Sequence, residues 1–122
     1  MYALLLRDVV SLSKAAVLVF CTLRDTTLAP TLHQLEQAGL PVVLVSEDAP
    51  GQGSSVAPQW HARGVAVPYV LDTSGELRTR YGITALPSAL VLDTAGRVTL
   101  REVGAVRGPV VATAAGASFA VR

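Results

Sequence analysis

Residues 81–93 constrain the fold of this chain more than any other stretch of its sequence. Within them, a turn at Gly82 leads to Pro87 and then directly into the apolar run Ser88–Leu92. Proline cannot donate to a sheet ladder, and it is the residue that makes a cis peptide bond inexpensive. A short and almost entirely apolar run is typical of a strand covered on both faces. We therefore predict a strand that begins just after a proline, at an edge or first position of a sheet.

The segments around this stretch predict alternating strands and helices. Residues 93–97 predict a turn, and 98–103 a returning strand of alternating polarity. Upstream, residues 15–21 and 41–46 are continuous apolar runs typical of buried strands. Between them, Leu28, Leu32 and Leu35 recur at helical spacing. Strand, helix and strand within about 30 residues form a βαβ unit, which implies parallel neighbours.

Helix ends are marked by residues with known capping chemistry. Asp25 offers a side-chain oxygen to the free amides at the start of the first helix, and Gly39 can end it. Residues 54–63 are weakly helical, 65–71 form a short extended piece, and Asp72 begins a capping segment for a helix through Arg80.

In this order of elements the chain resembles the thioredoxin fold, and more narrowly its redoxin branch of TlpA-like, AhpC/TSA-like and MauD-like proteins. The resemblance covers about residues 15–104 and implies an α/β domain. Its expected features are a central mixed β-sheet flanked by helices and a cis-proline, Pro87, before an edge-side strand. Residues 1–107 are expected to form this domain, including a short N-terminal β ribbon within 3–13. Residues 108–122 depart from the pattern and predict a small-residue tail or a weak helix.

The resemblance also implies a place for redox chemistry. Its members carry a Cys-x-x-Cys where the first strand meets the following helix, because a helix N-terminus favours the thiolate. Counting forward from the strand places Asp25 and Leu28 at the two cysteine positions, whereas counting back from the helix pattern places Thr22 and Asp25 there. Neither pair contains a cysteine. Disulfide exchange through a dithiol needs two sulfurs, so this chain alone cannot perform it.

The single cysteine, Cys21, is the candidate nucleophile for any remaining thiol chemistry. Arg24 and the helix start lie close in sequence and would favour a thiolate. The alternative is that Cys21 ends a buried strand as a small apolar side chain, which free cysteine commonly does. Asp25 has a comparable pair of interpretations, a charged mimic of the missing thiolate or a simple N-cap acid.

A protein or peptide partner is expected at a groove beside the cis-proline, with Thr22, Arg24, Asp25, Leu86 and Pro87 as its binding residues. No metal site is expected, because no Cys or carboxylate stands at ligand spacing around the histidines. No Gly-rich nucleotide loop is present, and no cofactor is expected.

Composition limits the other partners. The net charge is +1 without a basic cluster, which argues against nucleic acid. Only 16% of residues are charged, against about 25% in typical soluble domains, which favours apolar surface and hence a partner or a homodimer. No apolar run reaches the roughly 18 residues of a membrane span. The chain as it stands is expected in the cytoplasm. A periplasmic or membrane-tethered location is expected if an N-terminal segment was trimmed.

Three functions follow from these observations. The first is a redoxin-fold protein with a degenerate site that acts as a non-dithiol binding or assembly module. The second is a monothiol oxidoreductase or antioxidant protein that uses Cys21 with glutathione or a partner's thiol. The third is a structural subunit of a homo-oligomer that associates through the charge-poor surface.

Overall fold

The strand β1, Ala16–Cys21, is buried along its whole length and forms the centre of the molecule. The computed structural model describes residues 15–120, with side chains described through residue 116. The predicted N-terminal ribbon within residues 3–13 lies outside the described residues. Every side chain of β1 is apolar, so the strand is stable only where both of its faces are covered.

The sheet has five strands in the order β3-β2-β1-β4-β5. The strands β2, Val42–Ser46, and β3, Tyr69–Leu71, run parallel to β1 on one side of it. On the other side, β4, Ser88–Leu92, is antiparallel to β1, and β5, Val98–Val103, is antiparallel to β4. The predicted mixed sheet is therefore confirmed.

Within the described part of the chain four helices cover the sheet; three were predicted, and the fourth lies where a small-residue tail or a weak helix was expected. They are α1, Ala29–Gln37; α2, Gly53–Ala62; α3, Glu76–Arg80; and α4, Gly108–Ala120. Short 3-10 turns at Thr26–Leu28 and Pro50–Gln52 precede α1 and α2. The first helix ends as predicted, with Gly39 in a left-handed conformation at φ 76°.

Alternate residues of β1 point into two separate cores. Val17, Val19 and Cys21 face a core built with α1, α2 and α4, in which Trp60 is fully buried. Leu18 and Phe20 face the opposite core, which contains Leu77 of α3. The helices thus lie on both faces of the sheet.

The C-terminal segment forms a helix although it lacks charged residues and contains two glycines, Gly108 and Gly116. Val111 and Ala115 are fully buried in the core shared with α1 and α2. Packing of a face against the sheet can stabilise a helix that intrinsic propensity specifies weakly. The division of the chain at residue 107 stays a prediction.

Candidate functional site

The pairing of β1 with β4 brings the two predicted halves of the site to one end of the sheet. Phe20 of β1 is paired with Ser88 of β4 in the antiparallel register. Continuing this register by one residue sets Cys21 opposite Pro87. The loop that follows β1 and the proline that precedes β4 therefore share one corner of the molecule, which we call the proline corner (residues 22–25, 86 and 87).

The Leu86–Pro87 peptide bond in this corner is cis. Pro87 immediately precedes β4, and its missing N–H therefore removes no hydrogen bond from that strand. The strand β4 itself lies one position in from the sheet edge, which is formed by β5. Both Leu86 and Pro87 are partly exposed. Ser88 is fully buried, and its hydroxyl donates to the Ala85 carbonyl and accepts from the Gly104 amide.

The other half of the proline corner is a tight turn closed by Asp25. Its Oδ2 atom accepts a hydrogen bond of 2.8 Å from the backbone N–H of Thr22. The prediction that the Asp25 side chain caps the helix is therefore wrong in its bonding. Asp25 occupies the N-cap position of the 3-10 turn Thr26–Leu28, but its carboxylate makes no capping bond. Instead, the carboxylate accepts its hydrogen bond from the amide of Thr22, which is left free where β1 ends.

Exposure differs sharply between the residues of this turn. Arg24 is exposed and Asp25 is partly exposed, whereas Leu28 is buried in the core beneath α1. The corner thus presents a guanidinium and a carboxylate to solvent, and a leucine fills the space below them.

Cys21 is fully buried at the end of β1. Burial raises the pKa of its thiol well above the usual value, and the negative charges of Asp25 and Asp48 raise it further. The Arg63 guanidinium opposes this effect without overcoming it. Since the thiolate is the reactive form, this environment disfavours nucleophilic chemistry at Cys21.

Two residues that the sequence did not single out for the site hold the turn in place. Asp48, just after β2, accepts a 2.9 Å hydrogen bond from the Leu23 amide through Oδ1 and a 2.7 Å bond from the Ser46 hydroxyl through Oδ2. Arg63, just after α2, donates to the Leu23 carbonyl at 2.9 Å and lies 4.7 Å from the ring centre of Trp60. The sequence could have indicated Asp48 as a site residue, because it follows β2 and the ends of the parallel strands β1 and β2 must meet at the same edge of the sheet.

A cleft of about 360 Å³ opens beside the turn, on the β2 side of β1. Its lining is mixed in charge and rich in amides, and includes Thr22, Leu23, Arg24, Asp48, Gln52 and Gln59. Pro87 lies on the β4 side of β1. The turn 22–25, in which Arg24 is exposed, therefore lies between the cleft and the proline.

Ligand sets for a metal ion are not found among the residues that the structure describes, where no group of three or more His, Cys, Asp or Glu side chains is suitably placed. His33 is exposed, and its Nδ1 lies 3.2 Å from the Gly64 carbonyl. Across residues 15–120, none of the helices combines the length and apolar character of a membrane span.

Comparison with solved structures finds proteins of similar architecture, whereas no family model and no curated protein sequence matches. A secreted Mycobacterium tuberculosis disulfide oxidoreductase superposes with a TM-score of 0.71 at 21% identity, over 88% of this chain and 85% of its own. A putative thiol:disulfide interchange protein DsbE from Chlorobium tepidum gives 0.69 at 20% identity, over 88% and 81%. The thioredoxin domain of a thiol-disulfide oxidoreductase from Bacteroides vulgatus gives 0.61 at 17% identity, over 88% and 79%.

These neighbours share the sheet, the covering helices and nearly the whole length of this chain. At such identities the likeness concerns the fold and not the chemistry of the corner. The chain therefore has the thioredoxin-like fold found in thiol–disulfide oxidoreductases.

Proposed function

We propose that this protein is a degenerate member of the redoxin branch, which binds a protein or peptide at the proline corner and does not perform dithiol exchange. The proposal rests on which residues occupy the turn after β1, where the related proteins carry their two cysteines. Helical structure begins directly after Asp25, and Leu28 is buried three residues later. This arrangement favours Asp25 and Leu28 as the residues at the two cysteine positions, over Thr22 and Asp25.

Several features support binding. Thr22, Arg24 and Asp25 lie on an accessible turn, and Leu86 and Pro87 are partly exposed across β1 from the cleft. The Leu23 amide donates to Asp48 and the Leu23 carbonyl accepts from Arg63, and these two bonds reduce the entropy that the turn would lose on association. A preformed turn with one charge of each sign suits an extended polar peptide. Homodimer formation stays a prediction.

Selection of random 12-residue peptides displayed on phage tests this binding role. We expect selected peptides to bind the wild-type protein and to lose about tenfold or more in affinity for Arg24→Ala, because Arg24 is the exposed cation of the corner. The matched control is Arg97→Ala, which removes an exposed arginine from the turn between β4 and β5 at the other end of the sheet. Absence of enriched peptides, or equal binding to Arg24→Ala, contradicts the proposal.

The monothiol alternative is tested by labelling Cys21 with a thiol reagent such as dithiobis(nitrobenzoate). Because the thiol is buried and its pKa is raised, we expect labelling of the folded protein at pH 8 to be about a hundredfold slower than labelling of the urea-unfolded protein. The unfolded sample is the internal control. Labelling of the folded protein within about threefold of the unfolded rate would instead favour a monothiol function.

Introducing two cysteines tests whether Asp25 and Leu28 occupy the positions of the missing Cys-x-x-Cys. In a Cys21→Ala background, Asp25→Cys with Leu28→Cys places thiols at the start of the helical segment and one turn further on. We expect this variant to form an intramolecular disulfide in a glutathione buffer, measured by mass spectrometry after alkylation. Asp25→Cys alone, in the same background, is the control and should form only a mixed disulfide with glutathione. Failure of the double variant to close a disulfide would show that the two positions are misidentified.

A further inference from the structure

Glu47, the first residue after β2, carries a carboxyl group that the proposed binding role does not use. Its side chain is only 5% exposed, and its Oε2 atom is buried without a hydrogen-bond partner among the described residues. The nearest cation is Arg78, whose Nε lies 3.9 Å from Oε1. The Arg78 side chain is 53% exposed, so water screens this pair and leaves the buried carboxyl poorly compensated.

A second buried carboxyl lies beside it at the end of β3. Ser46 is paired with Leu71 in the parallel register, so Glu47 and Asp72 follow as neighbours, and the Asp72 amide donates to the Ser46 carbonyl at 3.0 Å. Asp72 is 3% exposed. Its two oxygens accept hydrogen bonds of 3.0 Å from the amides of Leu77 and Arg78, in the first turn of α3.

Two carboxyl groups buried side by side cannot both be charged without a large cost. Both oxygens of Asp72 accept hydrogen bonds from amides, whereas Oε2 of Glu47 has no such donor beside it. The proton therefore resides on Glu47. Burial is the largest cause that raises the pKa of Glu47, to about 9, followed by the hydrogen bond that its protonated carboxyl donates to Asp72 and by the charge of Asp72; the charge of Asp48 adds to the rise and Arg78 opposes it. The protonated Oε2 becomes a donor, and the Asp72 carboxylate is its neighbouring acceptor.

We propose that Glu47 and Asp72 share one proton that fastens the first turn of α3 to the end of β2, and that loss of this proton at alkaline pH loosens α3 and the segment that follows it. That segment, residues 81–87, is attached to α3 by the bond from the Ile83 amide to the Arg78 carbonyl and contains Leu86 and Pro87. The groups facing Glu47 are Asp72 before α3, Arg78 on α3, Asp48 on its own loop and the Cys21 thiol at the end of β1. The device is a property of the fold and does not depend on whether the corner binds a partner.

The sign of the pH dependence follows from proton linkage. In the unfolded chain Glu47 has the ordinary pKa of 4.5, and in the folded chain its pKa is about 9. Between these values the folded state holds a proton that the unfolded state has released. Stability therefore falls as pH rises through this window, by up to about tenfold in the folding equilibrium constant per pH unit.

Urea unfolding of the full chain at pH 5.5, 6.5 and 7.5, followed by the fluorescence of the buried Trp60, tests this inference. We expect the wild-type equilibrium constant for folding to fall by up to about a hundredfold across the range. Glu47→Gln keeps the shape of the side chain without a titrating group, and should lose most of this dependence. Glu76→Gln is the matched control, because Glu76 is a half-exposed carboxylate on α3, and it should keep the wild-type slope.

A second pair of measurements covers the case in which Glu47→Gln does not fold. Asp72→Asn removes the neighbouring charge while keeping a side-chain oxygen for the α3 amides, and should reduce the pH dependence between pH 6.5 and 7.5. In the wild-type protein, the amide NMR signals of Ile83 and Leu86 should shift between pH 7 and 9.5. Equal pH slopes for the wild type, Glu47→Gln and Asp72→Asn, or Ile83 and Leu86 signals that do not move, would overturn the inference.

Discussion

The pairing of β1 with a parallel strand on one side and an antiparallel strand on the other is the constraint on which the rest of the structure depends. Because β1 is apolar throughout, both of its edges and both of its faces must be covered. Parallel pairing with β2 brings the loops after Cys21 and Ser46 together, and antiparallel pairing with β4 brings Pro87 to the same end. The position of the proline corner at this end of the sheet is thus a consequence of sheet topology.

What occupies the corner determines its chemistry. A helix start beside a cis-proline is suited to a thiolate, but here a carboxylate stands at the helix start and closes a turn onto the Thr22 amide. The chain's single cysteine, Cys21, points into the core, among acidic neighbours that oppose its ionisation. The cis-proline and the helix start are therefore present, and the pair of thiols needed for exchange is missing.

The elements that depend on local sequence were predictable. The apolar runs of β1, β2 and β4, the leucine spacing of α1 and the capping role of Asp72 each depend on a few neighbouring residues, and the structure confirms them. The thioredoxin-like arrangement followed from their order along the chain. The sequence also shows directly that it contains no Cys-x-x-Cys motif and no Gly-rich nucleotide loop.

Contacts between distant parts of the chain were not predictable in the same way. Asp48 and Arg63 bond to Leu23 across 25 and 40 residues, and local propensity carries no information about such pairs. Asp25 has the composition of an N-cap, but the free amide of Thr22 competes for its carboxylate, and that competition depends on how β1 ends. The burial of Glu47 beside Asp72 likewise arises only when β2 and β3 pair.

Reduction of insulin by dithiothreitol, followed by turbidity in the presence of the wild-type protein, tests the central claim most directly. With a buried Cys21 and no second cysteine, the protein should precipitate insulin no faster than dithiothreitol does alone. An acceleration comparable to that produced by an equal concentration of a dithiol thioredoxin would contradict the account.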